Sequence, residues 1–355
     1  MHWSLFALAA LALLGAHGLK LPQAGGRFGG IAAFLIGLAL SALAIKTLAA
    51  ASGIGRTTVF DSFVNAAVIE AQQDPAPLIV FTGASFSRNA IDPQRLTLAL
   101  KERGYNYRVV SLSIEAASII ERDAHLQQFM ALSGRVPDLV FIEISEEFDH
   151  RAAYMFGNSK FNARAIEQFD LRTSVWTALG IMGGACDGTS GCLKDAVYLG
   201  AHTALNVLNV GLIGQGERPQ DAPAQPAFDP QTTPRAPSDA SQTAIILPAE
   251  PVRGPQWARS YRTVQRNALL AKGVRLVGYY QPPLLDPAQR AYTSGLCLGE
   301  LSALPCISPD DPVLLNQLTA EVWFDPGHLL DNGAAIYTGW LAQHLIDSGA
   351  LEMTR

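Results

Sequence analysis

The chain has 355 residues, room for one large or two small domains, and carries a formal charge of −5 at neutral pH. That acidic balance leaves no basic footprint for nucleic acid. Hydrophobic residues make up 49% and charged residues only 16%, with a mean hydropathy of +0.16; the excess lies at the N-terminus and argues against a purely soluble chain.

Trp3 to Gly15 is apolar apart from Ser4, and Gly30 to Ile45 is a second uncharged run that reaches Ala51 if Lys46 snorkels. A spanning helix needs about 20 apolar residues, with roughly 17 as the lower limit, so each run is short to marginal. The first run lacks the basic leader of a signal peptide, and Lys20 and Arg27 follow it. Residues 1–51 therefore predict a membrane anchor in the form of a two-helix hairpin. Lys20 and Arg27 fall in its cytoplasmic turn and everything after Ala51 faces outward. A single span with a cleaved leader is the alternative, and Lys46 and Arg56 weigh against the hairpin.

A helix is expected over Asp61–Gln72, followed by Leu78-Ile79-Val80-Phe81, a run apolar throughout as in a strand covered on both faces. Thr82-Gly83-Ala84 breaks it with small residues just before Ser85. Ile91-Asp92-Pro93 turns into a helix over Gln94–Lys101 that ends at Gly104. Tyr107–Leu112 reads as a second strand, Glu121–Leu132 as a helix, and Leu139–Ile144 as a third strand introduced by Pro137-Asp138. Strand–helix alternation at this spacing predicts an α/β fold with a parallel sheet and right-handed crossovers. A later strand, Gly273–Tyr280, and a last helix, Asn332–Ile346, complete the domain, placed at residues 60–347. Residues 151–215 form a helical insert. Residues 217–256 hold nine of the 21 prolines and read as an exposed, disordered insertion.

A serine at the carboxyl end of the first strand of an open α/β sheet lies at the usual ligand crevice; the competing role for Ser85 is to cap the next helix. About 240 residues later, Asp325 and His328 stand three apart across Pro326-Gly327, so one loop can present both. Nucleophilic catalysis needs this set: imidazole takes the serine proton, and carboxylate fixes the tautomer and steadies the charge that forms. Arg88 and Asn89 follow the serine closely enough to bind substrate or donate to an oxyanion, although Asn89 also suits a turn. Asp149-His150 could line the crevice or form a solvated loop. Glu143, Glu146 and Glu147 lack a histidine partner, so no metal and no cofactor is expected, and the glycine pairs Gly29-Gly30 and Gly183-Gly184 lack a phosphate-loop pattern. Cys186 and Cys192, and Cys297 and Cys306, form two local pairs in loop-like sequence. Two short disulfides in an oxidising compartment are expected, with free thiols as the alternative; neither spacing suits zinc.

The stretches "TGASFSRNAIDP", "PDLVFIEIS" and "DPGHLLDNGAAIYTGWLAQHL" resemble the SGNH (GDSL-like) hydrolase superfamily over residues 76–215 and 265–347. The resemblance is greatest to membrane-anchored bacterial members that O-acetylate exopolysaccharides or transfer D-alanine to teichoic acid. It implies a three-layer, flavodoxin-like parallel-sheet domain. It also implies Ser85 as nucleophile, His328 as general base and Asp325 as its orienting partner, with Phe86, Arg88, Asn89 and Ser145 as substrate or oxyanion candidates. The chain departs from the family pattern in three places. Ala84 stands where the family has Asp; Val110–Glu115 lacks the second-block glycine; and Glu143-Ile144-Ser145-Glu146 replaces Gly-x-Asn-Asp. Two customary oxyanion donors therefore do not carry over. The resemblance implies an acyltransferase or esterase acting on a cell-envelope or extracellular polysaccharide. The domain would be anchored in the bacterial inner membrane facing the periplasm or exterior, with a multi-spanning acyltransferase as a candidate partner. The alternative is a non-catalytic envelope protein that keeps the fold for glycan binding or assembly.

Overall fold

Five parallel strands form one sheet: β1 (Leu78–Thr82), β2 (Arg108–Ser111), β3 (Leu139–Glu143), β4 (Leu276–Tyr280) and β5 (Cys306–Ile307), in the order β2-β1-β3-β4-β5. A computed structural model describes residues 59–145, 170–208, 222–233, 255–301 and 305–352, together with parts of 36–44. The strand order is that of flavodoxin-like doubly wound sheets. The chain leaves β1 for one neighbour and returns to β3 on the other side, which opens a crevice at their carboxyl ends.

The helices that cover the sheet follow from its side-chain alternation. Ile79, Phe81, Val109, Leu139 and Phe141 face α3 (Pro93–Glu102) and α9 (Asp331–Asp347), packing with Leu96, Leu100, Tyr337 and Leu341. Leu78, Val80, Val110, Val140 and Ile142 face the other way, against Val64 of α1 (Val59–Gln73), Phe129 of α4 (Ile119–Ser133) and Leu269 of α7 (Gln256–Ala271). Every residue of β1 and β3 is buried, which is why both read as unbroken apolar runs. Each such side chain contributes about 1.5–3 kcal/mol by leaving water, so the central strands anchor both layers.

Local chemistry ends the helices where expected. Asp92 caps α3, accepting from the Gln94 and Arg95 amides at 3.0 Å, with Pro93 in the first turn. Ser118 and Glu121 form a reciprocal capping box at α4, and Gly134 closes that helix with φ 66°.

Beyond the third strand, α5 (Leu171–Met182) and α6 (Gly188–Leu208) form a helical hairpin beside α4 and α7. Cys186, just after α5, pairs with Cys192 near the start of α6, and Cys297 of α8 (Pro287–Leu298) pairs with Cys306 of β5; both pairs are as expected from the local spacing, although Cys192 and Cys297 lie in helices rather than loops. No helix among the described residues is long and apolar enough to cross a membrane. The anchor expected over residues 1–51 lies, apart from parts of 36–44, outside the described residues.

One expectation is corrected. Within the proline-rich stretch read as a disordered insertion, residues 222–233 run over the domain as an extended strap. The Gln225 amide donates to the Ser62 carbonyl at 3.0 Å, and Asn65 donates to the Ala222 carbonyl at 2.9 Å. Gln231 forms a parallel bridge with Leu330 and accepts from the Asp331 amide at 2.8 Å. Few apolar side chains are needed for this, because backbone hydrogen bonds carry the docking; only Ala227 of the segment is buried. Residues 234–254 lie outside the described residues.

Candidate active site

Ser85 opens a short helix, α2 (Ser85–Ala90), immediately after β1. The turn that delivers it depends on Gly83, because a Cβ there would collide with the Ser87 side chain and the Glu143 carboxylate. Ala84, at the position where an acid was missing, is fully buried, and its amide donates to Glu143 Oε2 at 2.8 Å.

Asp325 and His328 come from an antiparallel hairpin, β6 (Trp323–Asp325) and β7 (His328–Leu329), in which the two residues are paired partners. Asp325 Oδ1 accepts from the Gly327 amide at 2.9 Å and the His328 amide at 3.0 Å, closing the turn, and lies 2.7 Å from His328 Nδ1. His328 Nε2 lies 2.9 Å from Ser85 Oγ. With Nδ1 protonated toward the carboxylate, Nε2 is the acceptor for the serine hydroxyl. The row of three sequence-predicted residues is thus assembled across a separation of 243 positions. His328 and Asp325 side chains remain 22% and 25% exposed, so the row is open to solvent and to a ligand.

Phe86 packs beside the imidazole, ring centroids 5.0 Å apart. Gly327 makes room for it, since a Cβ at that position would strike the Phe86 ring. Phe86 therefore braces the histidine hairpin against the serine helix.

The other candidates are drawn elsewhere. Arg88 donates from Nε to the Ala227 carbonyl at 3.0 Å, pairs with Asp229 at 3.2 Å, reaches Glu115 at 4.0 Å and lies 4.8 Å over the Phe63 ring. Asn89 is 6% exposed and donates to the Asp229 carbonyl. Both hold the strap to α2, and neither makes a contact with the Ser85 hydroxyl. Ser145 is buried, 3.4 Å from Glu143 Oε1. Glu146, Glu147, Asp149 and His150 lie outside the described residues. Among the described residues no group of His, Cys, Asp or Glu could hold a metal.

Two features escaped the sequence. The first is the strap, whose pairing partners lie about a hundred residues away or further. The second is a buried ionic cluster beneath the serine turn, in which Glu143 and Arg122 have fully buried side chains 3.2 Å apart. A charged residue ending an otherwise apolar strand was the available signal for Glu143; its partner on α4 carried none.

No family model matches the chain, and no curated protein or solved structure matches it either.

Proposed function

We propose that the chain is an SGNH-like serine acyltransferase or esterase that acts on a cell-envelope or extracellular polysaccharide through an acyl-enzyme on Ser85. The observation that carries this is the Ser85–His328–Asp325 row, with contacts of 2.9 and 2.7 Å at the carboxyl end of a parallel sheet. In the first half-reaction Ser85 Oγ attacks the carbonyl carbon of an acyl ester. His328 Nε2 takes the hydroxyl proton and hands it to the departing alkoxide. In the second, a sugar hydroxyl or water attacks the acyl-enzyme and gives its proton to His328, which passes it to Ser85 Oγ as the acyl–oxygen bond breaks, regenerating the free serine. Asp325 holds the imidazole tautomer and stabilises the imidazolium between steps. We assign the Ser85 amide, at the first position of α2, as an oxyanion donor.

The polysaccharide acceptor, an outward-facing anchor in the bacterial inner membrane and a multi-spanning acyltransferase as donor partner rest on the sequence resemblance. The two disulfides fit an oxidising compartment. Transfer rather than hydrolysis requires the acceptor to be held, since well-oriented groups reach effective molarities on the order of 10⁵ M or more and so outrun water. A fluorophosphonate probe should label the wild-type chain once, at Ser85, with fluoride leaving. Ser85→Ala should be spared, with its melting temperature retained. Labelling that persists in Ser85→Ala places the nucleophile elsewhere.

A further inference from the structure

Ser85 and His328 belong to different elements, so their 2.9 Å contact depends on how firmly the serine turn is seated. That turn is tied on both sides of the serine to a single carboxylate oxygen. Glu143 Oε2 accepts from the Ala84 amide at 2.8 Å, one residue before Ser85, and from the Ser87 hydroxyl, two residues after it. Gly83 brings the backbone close enough for both.

The carboxylate is itself fixed. Its other oxygen lies 3.2 Å from Arg122 and 3.4 Å from the Ser145 hydroxyl, while Arg122 also donates to the backbone carbonyls of Glu143 and Ala117 at 2.9 and 3.0 Å. Tyr280 completes the cluster by donating to Ser87 Oγ at 2.6 Å. Burial, and next the adjacent Glu143 charge, push its phenol well above the ordinary value, so it stays a donor. Glu143, Arg122, Ser87 and Tyr280 are all buried, and the acyl-transfer chemistry uses none of them. A cluster that only held the fold together could lie anywhere along the β3–α4 contact; this one converges on the residues flanking Ser85.

We propose that Glu143 is a positioning residue for Ser85, setting the attack geometry of the serine turn from a buried, arginine-locked carboxylate. The proposal rests on Ser85 being the nucleophile. Gln is isosteric but offers one acceptor oxygen in place of two. If that oxygen faces Ala84, the amide NH2 meets the Arg122 guanidinium. If it faces Arg122, the NH2 meets the Ala84 N–H. In the first case the turn keeps its acceptor but the side chain loses its lock on Arg122, and in the second the turn loses the acceptor itself; in both the turn is held less firmly and Ser85 shifts. Misplacement by about 1 Å costs on the order of 100-fold in rate.

The test uses the full chain and a fluorophosphonate probe, read by intact mass for stoichiometry and by time course for rate. Glu143→Gln should still label to one adduct per chain, at Ser85, but about 10- to 100-fold more slowly. The KM for a small activated acetyl ester should stay within about twofold while kcat falls. Wild-type labelling rate in Glu143→Gln with only a lowered melting temperature makes the cluster structural and overturns the proposal. If Glu143→Gln does not fold, Tyr280→Phe takes its place, removing one hydroxyl from the same cluster. Several-fold slower labelling at full stoichiometry then supports the positioning role, and an unchanged rate refutes it. Labelling of Ser85→Ala itself would sink the functional assignment first, and this inference with it.

Discussion

Arg88→Ala probes whether the strap is a working part of the domain. Arg88 is the hub of the contact between α2 and residues 222–233, and each of its interactions has a size. The charge-assisted bond from Nε to the Ala227 carbonyl, at 3.0 Å and partly buried, contributes about 1.5–3 kcal/mol. Its position 4.8 Å over the Phe63 ring adds about 0.5–1 kcal/mol. The ion pair with Asp229 adds about 0–1 kcal/mol, because that carboxylate is 52% exposed and screened by water. Against these stands rotamer entropy of up to about 2 kcal/mol that truncation releases. The net loss should be about 1–3 kcal/mol, a fall in melting temperature of about 3–10 °C for a domain of this size. Arg88→Lys keeps the charge and the ring contact but not the Nε donor, and should fall in between. Asp229→Ala should cost less than about 1 kcal/mol. The assay is thermal melting followed by limited proteolysis, with cleavage mapped within residues 222–233. Arg88→Ala melting with the wild type, with the strap no more sensitive to protease, would show that its docking carries no stability and refute the reasoning.

Other perturbations reach different parts of the structure. Asp325→Asn should cost about 10⁴-fold in kcat by disfavouring the tautomer that leaves Nε2 as acceptor, with little change in KM, as steady-state ester hydrolysis would show. Gly327→Ala drives a methyl group into the Phe86 ring and should destabilise by about 1–3 kcal/mol while lowering turnover; Phe86→Leu in the same chain should restore part of both. Non-reducing peptide mapping should recover Cys186 joined to Cys192 and Cys297 joined to Cys306, and reduction should lower the melting temperature. Burial holds the His202 and His344 imidazoles below their ordinary value, Asp347 and Asp311 opposing the shift at His344. The unfolded chain then binds the extra protons, so their contribution to stability is complete above about pH 6.5 and is lost as pH falls through the lowered values. Urea midpoints should drop between pH 7 and pH 5, and His344→Gln should flatten the slope.

The sequence makes the sheet legible because its central strands are covered on both faces. An apolar run such as Leu78–Phe81 has few other uses when flanked by turn residues. The expected helices Asp61–Gln72, Gln94–Lys101 and Asn332–Ile346 appear as Val59–Gln73, Pro93–Glu102 and Asp331–Asp347. The difference of a residue or two at each end is the usual spread of helix termini. Ser85, Asp325 and His328 could be chosen because each side chain is reactive and each lies at a turn fixed by glycine, which leaves a local trace. Residues 222–233 left none. Their proline content removes amide donors and apolar mass, the usual mark of disorder, yet an extended proline-rich segment needs only a few well-placed partners to dock. Those partners, Ser62, Asn65, Arg88 and Leu330, are spread over most of the chain.

Arg88 and Asn89 show the same limit from the other side. Their closeness to Ser85 in sequence suggested chemistry, but one turn further along α2 both side chains are taken up by other partners. There they meet the strap, through Ala227 and Asp229. Glu143 is the reverse case: 58 positions from Ser85 in sequence, it is brought to the serine turn by the pairing of β1 with β3, where Thr82 stands opposite Ile142. Parallel register places the residue ending β3 beside the residue opening the turn after β1. A single buried carboxylate there can satisfy the turn's amide and hydroxyl only if a cation neutralises it, because an unpaired buried charge would cost several kcal/mol. Arg122 supplies that cation from the next layer. The serine turn, the strand pairing and the ion pair are therefore coupled, and a change at Arg122 should be felt at Ser85 without any contact between them.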